Sequence, residues 1–139
     1  MNVPELLSNL TIHYNALIRQ TASSLGLTAS QAFHLISIPR DGISMSCLSH
    51  KLGLAASTLT RNIQKLEIMG LVERFSNSYD KRMQNALLTQ KGDKMVHEVE
   101  EMLLDKNQLI MEYINLDGQE NISDVLEKLV WARDCISED

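Results

Sequence analysis

Residues 48–75, LSHKLGLAASTLTRNIQKLEIMGLVERF, hold two short helical patterns hinged on one glycine. Leu48 and Leu52 lie one helical turn apart, and Gly53 frees the backbone to turn. Leu54 plugs that turn. Ala56, Leu59, Ile63 and Leu66 then recur at i, i+3, i+7 and i+10, one face of a second helix. The opposite face carries Ser57, Thr58, Thr60, Arg61, Gln64 and Lys65, and Gly70 closes the helix. A bracing helix, a tight turn and a second helix with a small and basic outer face form the helix-turn-helix pattern. In it the second helix projects its first side chains into a major groove. Short hydroxyl residues let the backbone approach, Arg61 reaches guanine O6 and N7 or a phosphate, and Lys65 is better placed for the backbone. An apolar stripe with polar residues outside is also what any packed helical hairpin shows, so the weight falls on Gly53 and on the segment after Gly70.

That segment consists of LVERF, the charged stretch SYDKRMQ at residues 78–84, and NALLT. Two short apolar runs around a charged turn predict a β-hairpin. Thr89 is placed to cap a long helix with Val96, Val99, Leu103, Ile110 and Ile114 at helical spacing, the stripe widened by Leu109 and Tyr113. NLDGQ breaks it, and a last helix is expected over about 123–136 with Val125, Leu126, Leu129, Val130 and Ile136. Upstream, Leu6, Leu10, Tyr14, Leu17 and Ile18 predict a first helix over 5–24. Thr28 and Gln31 supply a capping box for a second, which Pro39 ends. No internal repeat, low-complexity stretch or flexible linker interrupts this order.

At 139 residues, with 44% hydrophobic and 22% charged side chains, the chain suits one globular domain. No apolar run reaches the roughly 18 residues of a membrane span. MNVPELLSNL lacks the basic start and apolar core of a signal peptide, and Cys47 and Cys135 form no CxxC, so a reducing cytoplasm is expected. The net charge of −5 hides an uneven distribution. Residues 1–39 sum to zero, residues 40–94 carry nine Lys/Arg against five Asp/Glu, and residues 95–139 carry three against twelve. A basic island thus precedes an acidic end, which suits a polyanionic partner but equally a solvated acidic helix.

Catalysis finds no GxSxG, P-loop or HExxH, and an enzyme is not expected. Cys47 with His50, and His97 with Glu101, each supply two ligands where zinc needs three or four, so no metal or cofactor is expected. Cys47 sits on a helix expected to be packed, with no neighbouring cation to favour a thiolate. The seven methionines are read as core fillers.

The combination of the LGL turn, STLTRNIQKLE, GLVER, Asp80-x-Arg82 in the hairpin and LLTQKG opening the long helix resembles the core of the MarR family of winged helix-turn-helix regulators. Two helices before this core and two after it match the family's order. The resemblance implies a homodimer, formed by helices at about 1–25 and 90–139 of a single 1–139 domain, with a winged lobe at about 28–89. It implies that Ser57, Thr58, Thr60 and Arg61 face bases or flanking phosphates. Arg82 would be the wing arginine for the minor groove, braced by a salt bridge from Asp80, while Lys81 meets a phosphate. Many members are repressors released by small ligands, which places a small-molecule effector between the second helix (Phe33, His34) and the long helix. Two departures stand out: Ala55 occupies the place of a capping Ser, Asp or Asn on the recognition helix, and no proline stiffens the wing.

The expectation is therefore a mainly α chain with a small β-hairpin wing. It would act as a dimeric, ligand-responsive repressor on pseudo-palindromic double-stranded DNA, with Ser57, Thr58, Thr60, Arg61, Gln64, Lys65, Asp80, Lys81 and Arg82 at the interface. The alternative is a winged-helix module that has lost DNA affinity and antagonises another regulator by protein contact. Operator, effector, sign of regulation and any oxidation sensing by Cys47 or Cys135 are not encoded legibly.

Overall fold

The computed structural model describes residues 1–76, 79, 80, 82–115 and 122–137, in two units, Met1–Asp105 and Lys106–Asp139. In the first unit, α1 (Val3–Ser24) starts on a capping box that lies upstream of the helix start expected from the apolar spacing. The Asn2 side chain accepts from Glu5 N–H at 3.0 Å, and Asn2 N–H donates to the Glu5 carboxylate at 3.1 Å. The second box is as expected. Thr28 Oγ1 accepts from Gln31 N–H at 3.1 Å, Gln31 Oε1 accepts from Thr28 N–H at 3.0 Å, and α2 (Ala29–Ser37) starts there. It stops at Ile38, which is extended (φ −91°, ψ 112°), because the Pro39 ring disfavours a helical residue before it.

α3 (Met45–Leu52) ends at Gly53, whose φ of +65° is the left-handed conformation that the turn requires. Gly53 N–H donates to His50 O at 3.1 Å and Leu54 N–H to Ser49 O at 2.9 Å, so the last carbonyls of the helix are satisfied. α4 (Ala56–Ile68) turns Leu59, Ile63 and Leu66 into the core at 1% exposure or less. Ala56, expected on that stripe, is exposed, because it is the first residue of the helix and lies beyond the core's edge. Around α4 pack Ile18 and Ala22 of α1, Leu35 of α2, Leu48 of α3, and Leu71 and Val72.

The expected two-stranded wing is a three-stranded sheet. β2 (Val72–Ser76) and β3 (Gln84–Leu88) form the hairpin, with Arg74 opposite Ala86, and β1 (Ile43–Ser44) adds to the other edge of β3 through Ile43–Ala86 and Ser44–Asn85. Two residues carry no alternation to read, and the pairing is set by partners more than forty residues away.

α5 (Gln90–Asn115) begins on Thr89 as expected, Gly92 N–H donating to Thr89 Oγ1 at 3.0 Å. Thr89 also ties this start to the end of α4: its hydroxyl donates to Gly70 O at 2.6 Å and its N–H to Leu71 O at 3.1 Å. Gly92 is buried against Leu71, and a Cβ there would collide with the Leu71 carbonyl. Val99 and Leu103 of α5 are buried in the first unit. NLDGQ extends beyond the described residues. In the second unit α6 (Ile122–Ser137) leaves Val125, Leu126, Leu129, Val130 and Trp131 between 42% and 69% exposed.

Candidate nucleic-acid interface

The outer face of α4 carries Ser57, Arg61, Gln64 and Lys65 fully in solvent or at its border, with Thr58 and Thr60 half-buried at its sides. This arrangement results from the inner stripe: once Leu59, Ile63 and Leu66 face the core, the 100° step per residue puts these side chains outside. Thr60 is less free than expected, because its hydroxyl donates to Ala56 O at 2.9 Å within its own helix. The N-terminus of α4 has no side-chain cap. Ala55 cannot supply one and Ser57 does not, so the first amides of α4 are left for water or another acceptor.

Of the wing, Tyr79, Asp80, Arg82 and Met83 are described and all four are exposed, whereas Lys81 lies outside the described residues. The expected Asp80–Arg82 ion pair takes another form. The Asp80 carboxylate accepts from the backbone N–H of Arg82 at 2.9 Å, and Met83 N–H donates to Asp80 O at 3.1 Å. An Asp side chain closing its own turn is the shorter reach and orders the backbone at Arg82, not its guanidinium. Arg82 lines a cleft of about 290 Å³ with Ser44, Met45, Ser46, Thr60, Met83 and Gln84. Arg82 and Thr60 of α4 therefore meet in one concavity, together with the first turn of α3. Ser44 and Ser46 were missed in the sequence, although Ser44 has the cap signal and accepts from Cys47 N–H at 3.1 Å.

The base of the wing is locked to α4. Arg74 Nε donates to Glu67 Oε1 at 2.7 Å, and its Nη1 to Gln84 Oε1 at 3.3 Å, linking α4, β2 and β3. Two further cations serve helix ends: Lys51 Nζ donates to Ser37 O at 3.1 Å and Lys91 Nζ to Met69 O at 2.9 Å. Three cations of the basic island, Lys51, Arg74 and Lys91, are thus engaged within the fold, which the charge count alone could not reveal.

A groove of about 890 Å³ runs between the end of α2 and the start of α5, lined by Ile36, Ile38, Pro39, Arg40, Leu88, Gln90, Lys91, Asp93, Lys94, Val96, His97 and Glu100. Neither Phe33 nor His34, the residues expected at an effector site, is among them. Phe33 is half-buried against the core, and His34 is 2% exposed with both ring nitrogens bonded to protein. His97 pairs with Glu101 at 3.1 Å in solvent. Among the described residues no three His, Cys, Asp or Glu converge as metal ligands. Cys47, expected to be packed, is exposed, as is Cys135. No described helix is long and apolar enough to cross a membrane.

Comparison with known proteins agrees with this architecture. The model of the MarR family matches residues 27–83, from the start of α2 into the wing. No curated protein sequence matches the chain. Among solved structures, the Multiple Antibiotic Resistance Repressor MarR is similar at 25% identity and a TM-score of 0.79, over 93% of this chain and 95% of that one. Wild-type apo MarR from E. coli is similar at 24% identity and 0.73, over 95% and 96%. MepR from S. aureus, solved as a DNA complex, shares the fold at 18% identity and 0.72, over 95% and 98%. With the motif core, the winged sheet and the helix order all in place, residues 27–83 match the MarR family model and the chain is similar in fold to MarR repressor structures.

Proposed function

We propose that this chain is a homodimeric, sequence-specific DNA-binding repressor whose recognition helix is α4 and whose wing probe is Arg82. The observation that carries the reading is the shared cleft of Arg82 with Thr60, Ser44 and Ser46, beside the outer face of α4 with Arg61, Gln64 and Lys65. A major-groove helix and an adjacent minor-groove arginine need that proximity. Ser57, Thr58 and Arg61 face base edges, and Lys65, Lys81 and the Ser44–Ser46 turn face phosphates. MepR, similar in fold, has been solved with DNA. The dimer is supported by the apolar residues each unit leaves in solvent, such as Leu10 and Tyr14 on α1 and Val130 and Trp131 on α6. Two recognition helices on a two-fold axis read a pseudo-palindrome with half-sites about one turn apart.

A small effector, in this reading, binds the groove between α2 and α5, where Arg40 and Lys94 offer positive and Asp93 and Glu100 negative groups beside Ile36, Ile38 and Val96. That composition suits a small polar molecule with an apolar body. The competing protein-contact reading is favoured by one observation, the uncapped start of α4.

Selection of bound sites from random DNA tests the main reading. Enrichment of a palindromic site, with log K falling by about 0.9 per phosphate neutralised as log salt rises, is expected. Arg61→Ala relaxes the preference at the contacted base by about 1–3 kcal/mol, and Arg82→Ala weakens binding where the minor groove is narrow. No enriched sequence and no salt-dependent binding would leave the protein-contact module as the function.

A further inference from the structure

The face of α4 turned toward the core is held mainly by Leu59, Ile63 and Leu66, and apolar contact is non-directional. Leucine and isoleucine stripes set which face of a helix is buried, and a directional bond limits its rotation more sharply. Directional ties from α4 side chains to other elements are few among the described residues. Glu67 bonds Arg74 near the C-terminal end, and Asn62 bonds His34 in the middle. The N-terminal end, with Ala55 at the cap position, has none from a cap side chain.

His34 lies on α2 and is buried. Its Nδ1 is 2.6 Å from Ser30 O, and a carbonyl only accepts, so Nδ1 carries the hydrogen. In the neutral ring Nε2 is then an acceptor, and it receives a hydrogen from Asn62 Nδ2 at 3.1 Å. The carbonyl of one turn thus selects the tautomer that can accept from the recognition helix. A hydrogen bond weakens steeply when its angle changes, so this one resists rotation of α4 about its axis. Asn62 is the direct chain neighbour of Arg61, and Lys65 lines the same small cavity of about 140 Å³ as His34 and Asn62.

We propose that His34 and Asn62 are a positioning pair. The neutral, Nδ1-protonated His34 fixes the rotation of α4 and so sets sequence preference without touching DNA. The proposal rests on α4 being a DNA-reading helix. Phosphate contacts tolerate small rotations, whereas bidentate base contacts do not, so the pair acts on specificity more than on bulk affinity.

The test uses the full-length protein and the site selected by the wild type. In Asn62→Leu, the ratio of affinity for that site over bulk DNA is expected to fall about tenfold, with the salt slope on bulk DNA unchanged. His34→Gln, which keeps an acceptor toward Asn62, is expected to retain most of the preference. His34→Leu loses it, and the double variant His34→Leu/Asn62→Leu is no worse than either single one. Nitrogen-detected NMR of the wild type is expected to show His34 protonated at Nδ1 and bare at Nε2. An unchanged preference in Asn62→Leu, or an Nε2-protonated ring, overturns the positioning role while leaving DNA binding intact. A wild type that selects no sequence overturns the underlying reading instead. If His34→Leu does not fold, the Asn62→Leu and NMR arms decide.

Discussion

α4 and α6 are both amphipathic helices, yet they treat their apolar residues in opposite ways. Leu59, Ile63 and Leu66 of α4 are at most 1% exposed, whereas Leu129 and Val130 of α6 remain 42% and 63% exposed. The winged lobe buries its apolar stripe within itself, and the described part of the C-terminal unit does not. The first closes a core of its own, and among the described residues the second leaves its apolar side chains in solvent.

The sharpest test of the lobe lies at Gly92. In an open helix Gly→Ala gains about 1 kcal/mol from propensity alone. Here the added Cβ meets the Leu71 carbonyl, backbone that cannot swing aside. Gly92→Ala is therefore expected to cost about 3 kcal/mol or more in chemical denaturation, and a gain would show the α4–α5 junction to be loose. Next, Ile63→Ala opens a cavity in a closed core and is expected to cost about 3 kcal/mol, independent of protein concentration. Leu129→Ala is expected to act differently, lowering dimer affinity by roughly tenfold or more in sedimentation while leaving the lobe's unfolding nearly unchanged. Equal, concentration-independent losses from the two would erase the distinction drawn between the helices. The smallest effect is Ala55→Ser, which supplies the missing cap and is expected to stabilise by about 1 kcal/mol in thermal unfolding. No gain would show that those amides are already satisfied.

These contrasts also mark how far the sequence could be read. Thr28 with Gln31, Pro39, Gly53 and Thr89 all act on backbone groups within four residues, and each does what its chemistry predicts. The family core was legible for the same reason, as local signals in a fixed order. The misses need distant partners. β1 exists because Ile43 meets Ala86, and the contact of His34 with Asn62 joins residues 28 positions apart. Lys51 and Lys91 looked like free positive charge until Ser37 O and Met69 O appeared beside them. At Asp80 the error was one of reach, since the carboxylate closes its own turn before it can brace Arg82.

The junction of Gly70, Leu71, Thr89 and Gly92 has a mechanical consequence. Its two hydrogen bonds from Thr89, the Lys91 bond to Met69 O and the close approach of Gly92 weld the end of α4 to the first turn of α5. Near this joint the two helices form a bell-crank: a tilt imposed on the start of α5 is delivered to α4 with little slack. The leverage comes from a contact that admits no side chain, so a single hydrogen atom at position 92 keeps the crank stiff.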